Sequence, residues 1–255
     1  MIPKRLFFVW FGNSAPDYAE FSIGNFMNVN PDFEIVRVFR SVREIEDIGS
    51  SDFDFKSRYD AQIRRCIDSL LGKNGFYGDY VGNQRKVYGD NLRFIQILSD
   101  LVRMELLNEH GGIYLDCDTF PVKPFDEELL STGRFCVARH YESNSIFPDN
   151  YFIGSEPASS TGRWEFPLRR HEGVVELLQT IPNWHSKLKF VENRIKFRRR
   201  SLKYGEWSLY PEFYIDHFNS LSWSSLNASA IPFCKFDRRP DEACQPGSSD
   251  RLTGG

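Results

Sequence analysis

The run Ser99 to Asp126, SDLVRMELLNEHGGIYLDCDTFPVKPFD, constrains the fold more than any other part of the chain. Ile95, Leu98, Leu101, Val102 and Leu106 recur at helical spacing and predict one buried helix face. Asp100 and Arg103, one turn apart, fall on the opposite side beside Gln96. Gly111 and Gly112 follow, where the left-handed end of a helix favours glycine. Ile113, Tyr114 and Leu115 then make an apolar run too short for anything but a strand within a sheet.

That strand leads into Asp116, Cys117 and Asp118. In an extended chain, residues two apart share a side, so both carboxylates are expected to face one way at the strand's C-terminal end. Open α/β sheets build their ligand crevices at that end. Two hard oxygen anions with no His or Cys cluster beside them suit Mg2+ or Mn2+ rather than zinc. An Asp-x-Asp spacing alone occurs by chance in most chains of this size. Its setting is the specific part: a helix carrying Asp and Arg, a Gly-Gly break, then an apolar strand.

In this order Ser99, Asp100, Arg103, Gly111, Gly112, Tyr114, Asp116 and Asp118 resemble the signature of the DXD-containing glycosyltransferases of family 32. That group includes fungal mannosyltransferases and bacterial capsule enzymes, with the catalytic domains of glucosylating clostridial toxins as more distant relatives. The resemblance implies an α/β chain of the GT-A fold, a Rossmann-like mixed central sheet flanked by helices. It implies a metal-dependent, retaining transferase using Mn2+ or Mg2+. The donor is expected to be a nucleoside-diphosphate sugar, with uridine or guanosine as the nucleoside, and the acceptor a glycan, a lipid-linked species or a protein.

The same resemblance assigns roles by position. Asp118 is expected to hold the metal, Asp116 to bond the ribose or the metal's shell, and Asp100 and Arg103 to hold sugar hydroxyls or phosphate. Tyr114 braces the site from the strand. Val9 and Trp10, at the end of an opening strand of similar type, are placed at the nucleobase. Asn150 falls in a segment similar to one that lines the sugar pocket, where an amide both donates to and accepts from hydroxyls. His217, as a third metal ligand, and Trp223 correspond to closing motifs; a competing register sets Pro232 where the histidine belongs.

Two other classes fit part of the pattern. Leu115-Asp116-Cys117-Asp118-Thr119 also matches the haloacid-dehalogenase phosphatase signature, with Asp116 as nucleophile. That reading needs a later acidic pair on an apolar strand, which the sequence lacks, and leaves Asp100 and Arg103 unexplained. A sugar-nucleotide-binding protein without turnover is the third.

The rest of the chain sets the bounds. Its 255 residues suffice for one large domain, expected over 1–236, with a disordered tail over 237–255 where Arg, Pro, Ser and Gly dominate. A net charge of −3 implies no general attraction to nucleic acid. The five cysteines show no metal-type spacing. Lys4 to Phe11 reads as a first strand; its apolar run is too short for a signal peptide or a membrane span, so a cytoplasmic location is expected.

Helix over Tyr18 to Asn28 and strand over Phe33 to Phe39 continue the α/β alternation. Tyr59 to Leu71 reads as a helix with Arg64 and Arg65 on a solvated face, and Phe135 to Ala138 as a strand. Phe120 to Phe125 reads as an extended connection and Glu172 to Thr180 as a short helix. Lys187 to Lys203 reads as a basic amphipathic helix able to touch an anionic membrane.

Overall fold

The computed structural model describes residues 1–12, 14–50, 53–74, 77, 81, 94–140, 146–158, 202–204, 207–210 and 214–217. Of these, 138–140, 146–149, 202–204, 207–210 and 216–217 are described by backbone alone.

The strand β1 (Arg5–Phe11) pairs in parallel with β2 (Glu34–Arg40) on one side and with β3 (Gly112–Leu115) on the other. Helix α1 (Asp17–Val29) is the crossover between β1 and β2. Leu6 and Phe8 join the core beneath α1, with Ile23 and Phe26. Phe7, Val9 and Phe11 join the opposite core, with Ile63, Leu98 and Leu101. A strand buried on both faces has no polar alternation to show, which is why β1 reads as an unbroken apolar run.

Beyond β3 the sheet turns mixed. β6 (Ile146–Ser155) runs antiparallel to β3 and to β5 (Arg134–His140). β8 (Trp207–Tyr210) lies parallel to β5, and β7 (Leu202–Tyr204) closes the edge. The seven strands stand in the order β2-β1-β3-β6-β5-β8-β7. This is the mixed, helix-flanked α/β sheet expected from the sequence. A second, two-stranded sheet pairs β4 (Thr119–Pro121) with β9 (Ile215–His217).

Helices α2 (Val42–Gly49) and α3 (Arg58–Leu70) each start in a capping box, Ser41 with Glu44 and Ser57 with Asp60. The longest helix described is α4 (Phe94–His110), of 17 residues. Short α5 (Glu127–Leu130) is capped by Asp126.

Four expectations change. The outer side of α4 is not solvated: Arg103, Glu105 and Asn108 are buried, because α3 and the strands β1, β3 and β6 pack around the helix. Helix α2 occupies a stretch assigned no element from the sequence, although Ile45 and Ile48 bury one of its faces. Thr119 to Pro121 is a paired strand rather than a free connection. Leu202 and Lys203 lie in β7, so the basic helix does not extend to them; 187–201 lies outside the described residues, as do 172–180 and 237–255.

Arg64 and Arg65 are occupied rather than solvated. Arg64 pairs with Asp68 and donates to the Ile48 carbonyl, and Arg65 pairs with Glu105 and Glu109. Cys66, Cys117 and Cys136 are buried and outside any disulfide.

Candidate functional site

The site is set by the turn between α4 and β3. The Gly111 N–H donates to the Leu107 carbonyl at 2.9 Å, and Gly111 takes a φ of 61°. A Cβ there would stand 2.5 Å from Pro157 Cδ and 2.9 Å from Pro3 Cδ. Only glycine fits that conformation in that space. The turn therefore fixes Asp100 and Arg103, on α4, against the acidic residues that follow β3.

β6 brings the next group. Its pairing with β5 shifts register between Cys136 and Val137: Cys136 faces Ile153, whereas Val137 faces Asp149. Such a break re-aims the side chains within it. Asn150 lies in the skipped stretch, and the Asp116 N–H donates to the neighbouring Tyr151 carbonyl at 2.9 Å.

Five side chains then close into one network. Arg103 Nη2 lies 3.1 Å from Asp100 Oδ1 and its Nη1 3.3 Å from Asp116 Oδ1. The same Nη1 donates to the Asn150 carbonyl at 2.9 Å. Asn150 Nδ2 donates to Asp100 Oδ1 at 3.0 Å. Tyr114 Oη donates to Asp116 Oδ1 at 2.6 Å. Burial holds the Tyr114 phenol well above its ordinary range, with Asp116 adding to the effect against the Arg103 charge, so Tyr114 remains a donor. Four of these five come from the single segment 100–116, and the fold adds Asn150 from β6.

The acidic motif departs from the extended form expected. The chain leaves β3 at Leu115 and turns at Cys117 and Asp118, with Thr119 Oγ1 donating to the Asp116 carbonyl at 2.7 Å. Cys117 is buried, its Sγ 3.7 Å from the Val9 carbonyl, which ties the turn to the end of β1. Thr119 was not foreseen; a Thr three residues after an Asp that ends a strand is the available signal for such a turn.

Asp118 is 9% exposed, at the rim of the buried set. Val9 is buried in β1, and Trp10 is partly buried, its Nε1 enclosed with no acceptor among the described residues. In β9, His217 is the register partner of Thr119, so its backbone lies beside the residue after Asp118. Trp223 lies outside the described residues.

Among the described residues no three His, Cys, Asp or Glu side chains come together as a cation site. Burial, with the Asp116 and Asp118 charges, raises the Cys117 thiol, and its Sγ is directed at the Val9 carbonyl. What remains is hard carboxylate oxygen, Asp116 and Asp118, in excess over the Arg103 charge. That composition fits Mg2+ or Mn2+ held by one or two carboxylates, with substrate phosphate and water completing the shell.

Residues 16–136, a little under half of the chain, match the family described as "Glycosyltransferase sugar-binding region containing DXD motif". The match spans Asp100, Arg103, Tyr114, Asp116 and Asp118. It supports a glycosyltransferase-type function with a sugar-binding DXD region.

A curated relative, "Subversion of eukaryotic traffic protein A" of Legionella pneumophila subsp. pneumophila, is 23% identical over 138 residues, 54% of this chain and 20% of the relative. Among solved structures, "PaToxG Glycosyltransferase" is 21% identical, covering 61% of this chain and 55% of that one, with a TM-score of 0.37. The catalytic domain of alpha-toxin from Clostridium novyi is 13% identical over 61% of this chain and 55% of that one, with a TM-score of 0.34. The chain thus spans about a fifth of the curated relative and about half of each solved chain. Overlaps that loose carry no argument for this protein.

Proposed function

We propose that the chain is a metal-dependent, retaining glycosyltransferase of the GT-A fold that moves a sugar from a nucleoside-diphosphate donor, uridine- or guanosine-linked, to a glycan, lipid-linked or protein acceptor. One observation carries the reading: Asp100, Arg103, Tyr114, Asp116 and Asn150 form a single hydrogen-bonded set at the C-terminal end of β3, beside Asp118.

Each group has work to do. Asp118 and Asp116 supply the anionic oxygens that hold the cation against the donor diphosphate. A divalent ion, when bound, supplies Lewis-acid stabilisation of the charge on the leaving diphosphate. Asp100 and the Asn150 amide offer an acceptor and a mixed donor–acceptor to sugar hydroxyls. Arg103 keeps two carboxylates from repelling each other and holds Asn150 by its backbone. The enclosed Trp10 N–H at the end of β1 suits a carbonyl of the base. His217 and Trp223 stand as the completing metal and donor contacts.

The phosphatase alternative needs Asp116 as a nucleophile. Its Oδ1 instead receives both the Tyr114 hydroxyl and the Arg103 guanidinium, which stabilise the carboxylate and blunt its reactivity. A membrane contact would have to come from 187–201; no described helix is long and apolar enough to cross a bilayer.

Thermal unfolding with uridine- and guanosine-diphosphate sugars, with and without Mn2+, tests the proposal. A ligand that binds only the folded state raises its melting temperature according to affinity. One donor class should stabilise the protein in Mn2+, lose that effect in chelator, and release nucleoside diphosphate on incubation. No response to any donor with either metal, and no release, would refute the reading.

A further inference from the structure

His110 and Gln62 lie away from the acidic turn, at the far end of α4. Gln62, on α3, is fully buried, and its Nε2 lies 2.8 Å from His110 Nε2. An amide nitrogen has only hydrogens to offer, so His110 Nε2 must be the acceptor. The imidazole is therefore neutral, with its proton on Nδ1. Burial works to raise the Glu109 carboxyl, but the same amide, with the Arg65 charge, outweighs it and holds Glu109 below its ordinary value. The Gln62 Oε1, meanwhile, is buried and has no hydrogen-bond partner among the described residues. A buried carbonyl left unbonded is costly, and an amide side chain can exchange its two ends by rotation.

The groups around the ring come from three elements. From α4, Glu109 Oε1 lies 3.8 Å from Nε2, and Glu105 is buried behind it, bonded to Arg65 and Tyr77. From α3, Arg58 and Arg65 bring positive charge, and Tyr59 meets the imidazole edge-on at 6.0 Å. From β1, Phe7 stacks on the ring at 6.2 Å, and Arg5 pairs with Glu34 of β2.

We propose that Gln62 and His110 form a two-position polar latch between α3 and α4, thrown by protonation of the imidazole. In the neutral position the Gln62 amide donates to His110 Nε2. A protonated ring carries hydrogens on both nitrogens, so that contact becomes donor against donor. Rotation of the amide then presents Oε1 to His110 Nε2–H, satisfies the orphaned carbonyl, and withdraws the amide hydrogens from Glu109. The Glu109 carboxylate turns to the imidazolium. His110 immediately precedes Gly111, so the exchange is felt at the turn that joins α4 to β3.

Burial, helped by Arg58 and Arg5 against the Glu109 charge, holds His110 below its ordinary value. The unfolded chain therefore takes the proton first, and the grip of α3 on α4 weakens as pH falls from about 6.5 through the folded value.

Long-range nitrogen–proton NMR of the imidazole in the wild-type chain reads the latch directly. Nδ1–H with a bare Nε2 is expected at pH 8, and Nε2–H as the main tautomer would overturn the proposal. Amide exchange adds a second reading. After correction for intrinsic rates, protection at Gly111 should drop about tenfold between pH 7.5 and 5. In Gln62→Leu the drop should be under about twofold, because no amide remains to rotate. An equal drop in both proteins would also refute the latch. The tautomer measurement needs no substitution, so the proposal stays exposed even if Gln62→Leu folds poorly.

Discussion

The Arg103 guanidinium carbon stands 4.3 Å from the centre of the Tyr114 ring, over the same residue whose hydroxyl bonds Asp116. One aromatic side chain thus receives the cation on its face and fixes the anion with its edge. The arrangement adds a side-chain tie between helix α4 and the acidic turn to the backbone link through Gly111.

Arg103→Lys tests that geometry. A lysine keeps the charge but presents a point rather than a planar fork, and cannot serve Asp100, Asp116 and the Asn150 carbonyl together. Arg103 is 6% exposed, so losing these bonds should lower stability by about 2 to 3 kcal/mol, measured as a shift in denaturant midpoint at constant slope. Arg103→Ala should cost more, because it leaves two carboxylates facing each other. Equal, sub-kilocalorie effects would show that the network is not structurally coupled.

Asp118→Asn separates binding from folding. The substitution keeps the side chain's shape while removing an anionic oxygen. Unfolding in the absence of ligand should change by less than about 1 kcal/mol. Mn2+-dependent stabilisation by the donor and nucleotide release should both fall by at least about a hundredfold. Retained release would remove Asp118 from the proposed metal site.

Much of this site was legible in the chain because one short segment carries it. Helix, glycine turn, strand and acidic pair follow in sequence, so Asp100, Arg103, Tyr114 and Asp116 could be placed together before any fold was known. Asn150 required a second segment, recognised by resemblance. The burial of Arg103 was hidden, since periodicity along α4 says which residues are apolar and nothing of what packs on the other side. The turn at Cys117 and Asp118 was hidden too: strand alternation gives no warning of where a strand stops. β4 and β9 have three residues each, too few for any pattern. The pairing of His110 with Gln62 joins residues 48 apart and leaves no local trace.

Two glycines with positive φ should respond differently to alanine. Gly133, at φ 76°, has no atom within 4 Å of a built Cβ, so Gly133→Ala should cost only the backbone strain, about 1 kcal/mol. At Gly111 the same strain meets the backbone nitrogen of Pro157 at 2.8 Å and rings that cannot swing away. Gly111→Ala should cost at least about 3 kcal/mol and reduce donor binding, because the α4–β3 turn must move. Comparable melting temperatures for the two variants would contradict the close packing of that turn.

Asp60 gives a pH dependence of known sign. Burial alone would raise its carboxyl, but the Arg40 hydrogen bonds and charge, with Ser57, outweigh that and hold it below the ordinary carboxylate value. Arg40 Nη2 lies 2.6 Å from Asp60 Oδ1, and the Lys56 and Ser57 amides donate to Oδ2 at 3.1 and 2.9 Å. The unfolded chain therefore binds this proton more tightly than the folded one. Its stabilisation is complete above about pH 3.9 and is lost as pH falls through the lower folded value. Asp60→Asn leaves Arg40 without its charge partner and should lose about 3 kcal/mol at pH 7. Urea midpoints for both proteins at pH 7, 4 and 3 should converge on acidification, since the variant has no carboxyl to protonate. A gap that stays constant to pH 3 would mean that packing around α3, rather than the ionised pair, accounts for the loss.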